Sequence, residues 1–164
     1  MMIQIHDNFL DVDICNHLIN FYKKNKDQSV EFGGKNSKEW MIAFAMARKS
    51  KEFKLLQSKL NEKSTYINNS IAETVQIVKW PVGSKQDPHY DIAYNHTTLT
   101  SVVYLNNNFG GGETYFTDGV KITPKIGRAL FFDGQYYEHG VNDVQTHERY
   151  VVATWYKNKT IKVY

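Results

Sequence analysis

Thiols are nearly absent from this 164-residue chain, in which Cys15 is the single cysteine. One cysteine can form neither an internal disulfide nor a thiolate metal cluster, which excludes a disulfide scaffold and a cysteine-rich zinc site. Its place in an apolar helical pattern predicts a buried, inert thiol. Long hydrophobic runs are also lacking, and Met1-Met2-Ile3-Gln4 shows no basic region followed by an apolar segment. Neither a membrane span nor a secretory leader is expected. These absences predict a cytoplasmic, reduced protein with no membrane partner. Proline is scarce, at three residues, and there is no Pro- or Ser-rich linker, no repeat and no low-complexity tract. Charge of one sign is not concentrated either. The net charge is +3, and the lysines scatter, as in Lys23, Lys24 and Lys26 or Lys49, Lys51 and Lys54. Nucleic-acid-binding domains usually carry a concentrated basic stripe, so a nucleic-acid partner is disfavoured.

What is present reads as one domain over residues 1–164. A chain of this length can bury roughly 70% of its unfolded surface, and eleven Tyr and nine Phe argue against disorder. The pattern changes character near residue 70. Before it, Leu10, Ile14, Leu18, Phe21 and Tyr22 follow helical spacing, with Asp11 or Asp13 available as N-cap. Phe53, Leu56 and Leu60 make a second stripe that Ser50 can cap. Between them Val30 to Lys38, with Gly33-Gly34, reads as a loop. From residue 71 onward the signature is strand after strand: 71–80, 98–105, 113–117, 128–133 and 149–157, separated by turn clusters at 81–83, 106–112, 124–127 and 140–143. The expectation is a mainly β fold with N-terminal helices, a helical support over 1–70 buttressing a β core over 71–160.

His89 and Asp91 stand two apart, and in extended chain such a pair points to one face. His139, in Tyr136-Tyr137-Glu138-His139-Gly140, is the best third ligand. Two imidazoles and one carboxylate are the facial donor set of non-haem Fe(II) oxygenases and leave further coordination positions open. A helical His-Glu zinc pattern is absent. His6, His17, His96 and His147 lack such a setting and are expected at the surface or the edge of the core.

The stretch from Glu73 through Trp80-Pro81-Val82-Gly83 to Pro88-His89-Tyr90-Asp91 resembles the start of a prolyl 4-hydroxylase-type dioxygenase domain. The likeness continues through Thr100-Ser101-Val102-Val103-Tyr104-Leu105-Asn106, Gly111-Gly112-Glu113-Thr114, Gly127 to Phe132, His139-Gly140 and Arg149 to Trp155. Asp7-Asn8-Phe9-Leu10, Cys15 and Leu18-Ile19 resemble the family's opening helix. The resemblance implies a double-stranded β-helix, a jelly roll enclosing Fe(II), with 2-oxoglutarate as cosubstrate, dioxygen as oxidant and ascorbate as a supportive reductant. It assigns His89, Asp91 and His139 to the iron and places Arg149, ten residues after His139, on the distal carboxylate of 2-oxoglutarate, with Thr114 adding a hydroxyl. A guanidinium fork suits a carboxylate. The implied activity is an oxidoreductase: 2-oxoglutarate is decarboxylated to succinate while a substrate C–H is hydroxylated, the substrate being peptidyl or free proline or another small molecule.

Two departures stand out. The family commonly has tyrosine where this chain has Trp80, nine residues before His89, and an indole N–H donates one hydrogen bond but accepts none. Contact between Trp80 and 2-oxoglutarate is therefore open. The link from Asp91 to Thr100 is shorter than in peptide-acting relatives, which pulls against a prolyl peptide. Tyr90, Tyr94 and Trp155 are candidates for the substrate wall, with Tyr136, Tyr137 and Trp40 as further aromatic candidates. Gly110-Gly111-Gly112 lacks the Lys-Ser/Thr of a phosphate loop and reads as a turn. The competing functions are a nucleic-acid demethylase of the same superfamily, disfavoured because no arginine follows Arg149, and a non-catalytic jelly-roll binding module.

Overall fold

β-Branched and aromatic residues dominate 70–80 and 149–158, and these two segments form the long antiparallel pair on which the sheet is built. The computed structural model describes residues 3–33, 40–45, 50–92 and 96–159, with residues 32, 33 and 40–45 described by backbone alone. The strands are β1 (Gln4–His6), β2 (Val30–Gly33), β3 (Trp40–Ala45), β4 (Ser70–Trp80), β5 (Gln86–His89), β6 (Thr97–Tyr104) and β7 (Gly110–Gly111). They continue with β8 (Thr114–Phe116), β9 (Lys121–Ile122), β10 (Ala129–Phe132), β11 (His139–Val141), β12 (Val144–Gln145) and β13 (Arg149–Asn158). Two helices, α1 (Val12–Lys24) and α2 (Lys51–Asn68), precede β4.

A seven-stranded sheet runs in the order β1-β10-β6-β13-β4-β3-β2, a four-stranded sheet runs β5-β11-β8-β9, and β12 pairs with β7. Every pairing is antiparallel. This is a mainly β architecture with helices on one side. Alternation along β13 divides the interior in two. Tyr150, Val152 and Tyr156 join Leu18, Leu56 and Leu60 of the helices in one core. Val151 joins Val78, Trp80, Tyr104, Phe116 and Phe132 in a second core toward the smaller sheet. Glu73 is an extra residue in β4, because Trp155 pairs with Thr74 while Tyr156 pairs with Ala72. This bulge lets Ala72 and Ile77 both face the helices while Thr74 and Gln76 line the opposite side.

The helices form for the reasons expected. In α2 Phe53, Leu56, Leu60 and Ser64 make the buried stripe, and the Ser50 hydroxyl accepts the Phe53 N–H at 3.2 Å. Asn69 ends the helix in the left-handed conformation, φ 55°. In α1 Cys15, Leu18 and Tyr22 are buried, Asp11 is the N-cap without a side-chain cap bond, and Leu10 is buried just ahead of the helix. Burial pushes the Cys15 thiol up to about 11, the inert state expected of it.

The N-terminal third is less helical than its pattern suggests. Val30–Gly33, expected in a loop, is β2, and residues 34–38 of that loop lie outside the described residues. β1, β2 and β3 all belong to the large sheet. Their order comes from partners distant in sequence, as where Ile42 pairs with Lys79 and Gln4 with Phe131. The expected turn at 140–143 begins inside β11, and 106–112 contains β7. Gly111 and Gly112 nonetheless have positive φ, and the segment leads into a strand, as a turn there requires. Among the described residues no helix is long and apolar enough to cross a membrane.

Candidate active site

Pairing of β5 with β11 sets His139 directly opposite His89, and the two rings lie 4.4 Å apart centre to centre. Asp91 follows β5 and is held in place twice. Its N–H donates to the Gly134 carbonyl at 2.8 Å, and its Oδ2 accepts the Thr100 hydroxyl at 2.6 Å. His89 Nε2 lies 3.6 Å from Asp91 Oδ1, and His139 Nε2 lies 3.7 Å from Asp91 Oδ2. One ligand atom from each of the three falls within 4.8 Å of the others, the spacing of groups able to share an ion.

The far nitrogens decide which atoms face that ion. His89 Nδ1 lies 3.1 Å from the Asp87 carbonyl and His139 Nδ1 lies 2.9 Å from the Tyr137 carbonyl. A backbone carbonyl accepts only from a protonated Nδ1, which leaves each Nε2 lone pair for a metal. Burial lowers the His139 pKa below the ordinary imidazole value against the opposing pull of Asp91, so its ring is neutral. Burial pushes the Asp91 carboxyl up, but the adjoining His89 and His139 imidazoles and the Thr100 hydroxyl outweigh it and hold its pKa below the usual carboxylate value, so it is ionised.

The same cavity, of about 400 Å³, holds a cation at its other end. Arg149 is 1% exposed. Its Nη2 donates to Thr114 Oγ1 at 3.2 Å, while Nε and Nη1 are buried with no hydrogen-bond partner among the described residues. Burial lowers the Arg149 pKa, with the neighbouring Tyr104 hydroxyl and Glu113 opposing it, yet a guanidinium stays charged in any protein. The expected inward face of β13 is observed: Arg149, Val151, Ala153 and Trp155 all line the cavity, opposite Trp80, Val78, Gln76 and Thr74 of β4. A buried cation with two of its nitrogens unsatisfied is costly, and a ligand carboxylate in this cavity would satisfy it.

Of the expected substrate-wall residues, Tyr90 and Trp155 line the cavity, Tyr90 at 44% exposure. Tyr94 and the Trp40 side chain lie outside the described residues. Tyr136 and Tyr137 are not cavity walls. Their N–H groups both donate to the Asp133 carbonyl, and the turn this makes sets Tyr136 edge-to-face against Tyr137, with ring centres 5.0 Å apart, and leaves Tyr136 to solvent. The other histidines lie apart from the site, His96 with Glu73 at 2.6 Å and His17 with Glu52 at 3.4 Å. Thr100 and Gly134 are the residues that sequence reasoning missed. Strand alternation could have found Thr100, which shares a face of β6 with Val102. Gly134 carries no such signal.

Two imidazoles and a carboxylate stand beside open space, with a guanidinium only partly hydrogen-bonded across the cavity, and this is the donor set found in non-haem iron oxygenases. The chain belongs to the 2OG-Fe(II) oxygenase superfamily, whose family model matches residues 75–157. It is 29% identical over 133 residues to "Probable prolyl 4-hydroxylase 11" of Arabidopsis thaliana, covering 72% of this chain and 48% of that protein. To prolyl 3-hydroxylase 1 of Homo sapiens it is 32% identical over 100 residues, 56% of this chain and 12% of that one. The chain therefore spans about half the length of the plant relatives it matches first. Among solved structures, a viral collagen prolyl hydroxylase from Paramecium bursaria Chlorella virus-1 superposes with a TM-score of 0.72 at 27% identity, covering 98% and 91% of the two chains. A prolyl-4-hydroxylase of Pseudomonas putida shares the fold, with a TM-score of 0.79 at 16% identity over 96% and 92%.

Proposed function

We propose that residues 1–164 act as one Fe(II)- and 2-oxoglutarate-dependent dioxygenase domain that hydroxylates a C–H bond, with a prolyl group, peptidyl or free, as its substrate class. The observation that carries this is the pairing, within one cavity, of the His89–Asp91–His139 donor set with a buried guanidinium whose Nε and Nη1 lack partners among the described residues. His89 and His139 offer Nε2 to the iron. Asp91, its Oδ2 held by Thr100, offers Oδ1. Arg149 and Thr114 hold the distal carboxylate of 2-oxoglutarate, which points its 2-oxo acid end toward the triad. When bound, iron and cosubstrate supply the oxidising chemistry, 2-oxoglutarate leaving as succinate and carbon dioxide as dioxygen is consumed and the substrate gains a hydroxyl. The apolar walls from Val78, Val102, Val151 and Ala153 keep water from the reacting centre.

The antiparallel sheets on either side of this cavity support a double-stranded β-helix, the jelly roll of the resemblance. Support for a prolyl substrate comes from the names of the relatives and from the Tyr90 and Trp155 walls. Ascorbate serves to keep the iron reduced between turnovers.

The test is a substrate screen read by mass. Protein, Fe(II), ascorbate and 2-oxoglutarate are incubated with proline-containing peptides, free proline, other amino acids and methylated oligonucleotides. A gain of one oxygen in a prolyl product, with matching succinate, is the expected outcome. Oxygen gained only by a non-prolyl compound removes the prolyl assignment, and demethylation of the oligonucleotide puts the demethylase in its place. His89→Ala is expected to abolish succinate formation. Arg149→Gln is expected to weaken 2-oxoglutarate binding roughly ten- to a hundredfold, from the 1.5–3 kcal/mol typical of a charge-assisted bond, with metal affinity kept. Unchanged 2-oxoglutarate dependence in Arg149→Gln sinks the anchor.

A further inference from the structure

Three buried donor nitrogens without hydrogen-bond partners among the described residues belong to two neighbouring side chains at the second core. Two belong to Arg149, its Nε and Nη1, and the third is Trp80 Nε1. Trp80 is 4% exposed and sits directly across from Arg149 in the β4–β13 register. The guanidinium carbon lies 5.1 Å from the Trp80 ring centre and 5.3 Å from that of Tyr104, so the cation is flanked by two aromatic rings. Native folds rarely leave one buried donor unpaired. A cluster of three beside a cavity marks a place where a ligand supplies the acceptors.

The hydroxyls nearby are already committed. Tyr104 donates to Thr114 Oγ1 at 2.7 Å and accepts from the Thr114 N–H at 3.3 Å. Thr114 Oγ1 also accepts from Arg149 Nη2. With both of its acceptor positions filled, the Thr114 hydroxyl has only its own hydrogen left to give. What these residues have left to offer a ligand, Arg149 Nε and Nη1, the Thr114 hydroxyl hydrogen and Trp80 Nε1, are all donors, and indole, unlike a phenol, cannot accept at all.

We propose that Trp80 is a cosubstrate-positioning residue whose indole N–H donates to the distal carboxylate of 2-oxoglutarate, beside the bonds from Arg149 and Thr114. This rests on the cosubstrate assignment above and extends it to a residue whose contact with 2-oxoglutarate the sequence left open, since a donor-only indole stands there in place of the family's tyrosine. Its ring also braces one face of the guanidinium, as Tyr104 braces the other, which holds Arg149 for an incoming anion without neutralising it.

The test uses Zn(II)-loaded protein, diamagnetic and inactive, so that binding is read without turnover. Calorimetry compares 2-oxoglutarate with 2-oxobutyrate, which offers the same 2-oxo acid to the metal but has no distal carboxylate. Trp80→Phe is expected to weaken 2-oxoglutarate about tenfold and leave 2-oxobutyrate unchanged, and Trp80→Tyr to recover part of the loss. In the ¹H–¹⁵N spectrum of the wild-type protein the Trp80 indole resonance is expected to move downfield on adding 2-oxoglutarate, and not on adding 2-oxobutyrate. The chain has three tryptophans, so Trp40→Phe and Trp155→Phe assign that resonance even if Trp80→Phe does not fold. Equal losses for both ligands, or an indole resonance that responds to both alike, overturn the proposal and make Trp80 a wall of the cavity. If wild-type protein binds no 2-oxoglutarate, the cosubstrate assignment falls and takes this with it. Wild-type binding that Trp80→Phe leaves intact removes Trp80 alone.

Discussion

A Cβ added to Gly134 would fall onto the Asp91 carboxylate and the Thr100 hydroxyl, so the absence of a side chain there is a condition for the triad. Gly134 also supplies the carbonyl that fixes the Asp91 backbone. Thr100 acts from the other side, and residues that orient a ligand in this way are typically worth ten- to a hundredfold in metal affinity. Gly134→Ala is therefore expected to weaken Mn(II) binding by about that factor, and Thr100→Val, which keeps the shape but loses the hydroxyl, by about tenfold. An electron-paramagnetic-resonance titration of free Mn(II) measures both. Wild-type affinity in both variants would mean that Asp91 is held by other contacts. The neighbouring Gly112 shows the same economy at the anchor. At φ 64° its missing side chain leaves room for Arg149 Cδ, which a Cβ would meet at 3.1 Å.

At the level of elements, the short edge strand β1 is tied down by charge. Asp7 accepts from Arg128 Nε at 2.6 Å and from Lys125 Nζ at 3.0 Å, joining the end of β1 to the approach to β10. The Arg128 and Lys125 hydrogen bonds hold the Asp7 carboxyl well below the usual carboxylate range, with burial opposing them. A folded pKa below the unfolded one stabilises the protein above the unfolded value, about 4, and the effect is lost as pH falls toward the folded value. The gap in melting temperature between wild type and Asp7→Asn is thus expected to be widest at pH 6–7 and to shrink below pH 4. A gap that stays constant down to pH 3 would show that the tie contributes nothing through its charge. This exposed pair is also screened by salt, so the gap narrows at high ionic strength.

Which elements could be anticipated follows from where their order originates. β4, β6, β8, β10 and β13 carry β-branched and aromatic residues in quantity and stand close to their expected limits. β5 reads Gln86-Asp87-Pro88-His89, polar and mostly exposed, and becomes a strand because β11 pairs with it. β2 and β3 likewise owe their order to the edge that β4 presents. Local propensity is silent where a distant strand supplies the hydrogen bonds.

For the molecule as a whole, ligand binding and stability are linked, because the site draws on both sheets: β4, β6 and β13 of the larger, and β5, β8 and β11 of the smaller. A ligand at a hundred times its dissociation constant stabilises the folded state by about 2.7 kcal/mol. For a chain of this size that corresponds to a rise in melting temperature of roughly 5–10 °C. Mn(II) with 2-oxoglutarate is expected to raise the wild-type midpoint by that amount, and His139→Ala to remove most of the rise. A rise of equal size in His139→Ala would place the metal elsewhere.

The sequence by itself carried the proposed chemistry. His89, Asp91 and His139 stood out because metal ligation demands particular side chains and the two-residue spacing of a strand puts the first pair on one face, while Arg149 was assigned through the family resemblance. The inward face of β13, the cap at Ser50 and the buried thiol were legible for the same local reasons. Only the tertiary structure decided that His89 stands opposite His139, that Gly134 and Thr100 clasp Asp91, and that the Tyr136–Tyr137 pair turns away from the cavity. It alone left the Trp80 and Arg149 donors unpaired side by side. Those outcomes depend on register between strands far apart in the chain, and register is set by pairing and packing across the whole sheet rather than by any local run of residues.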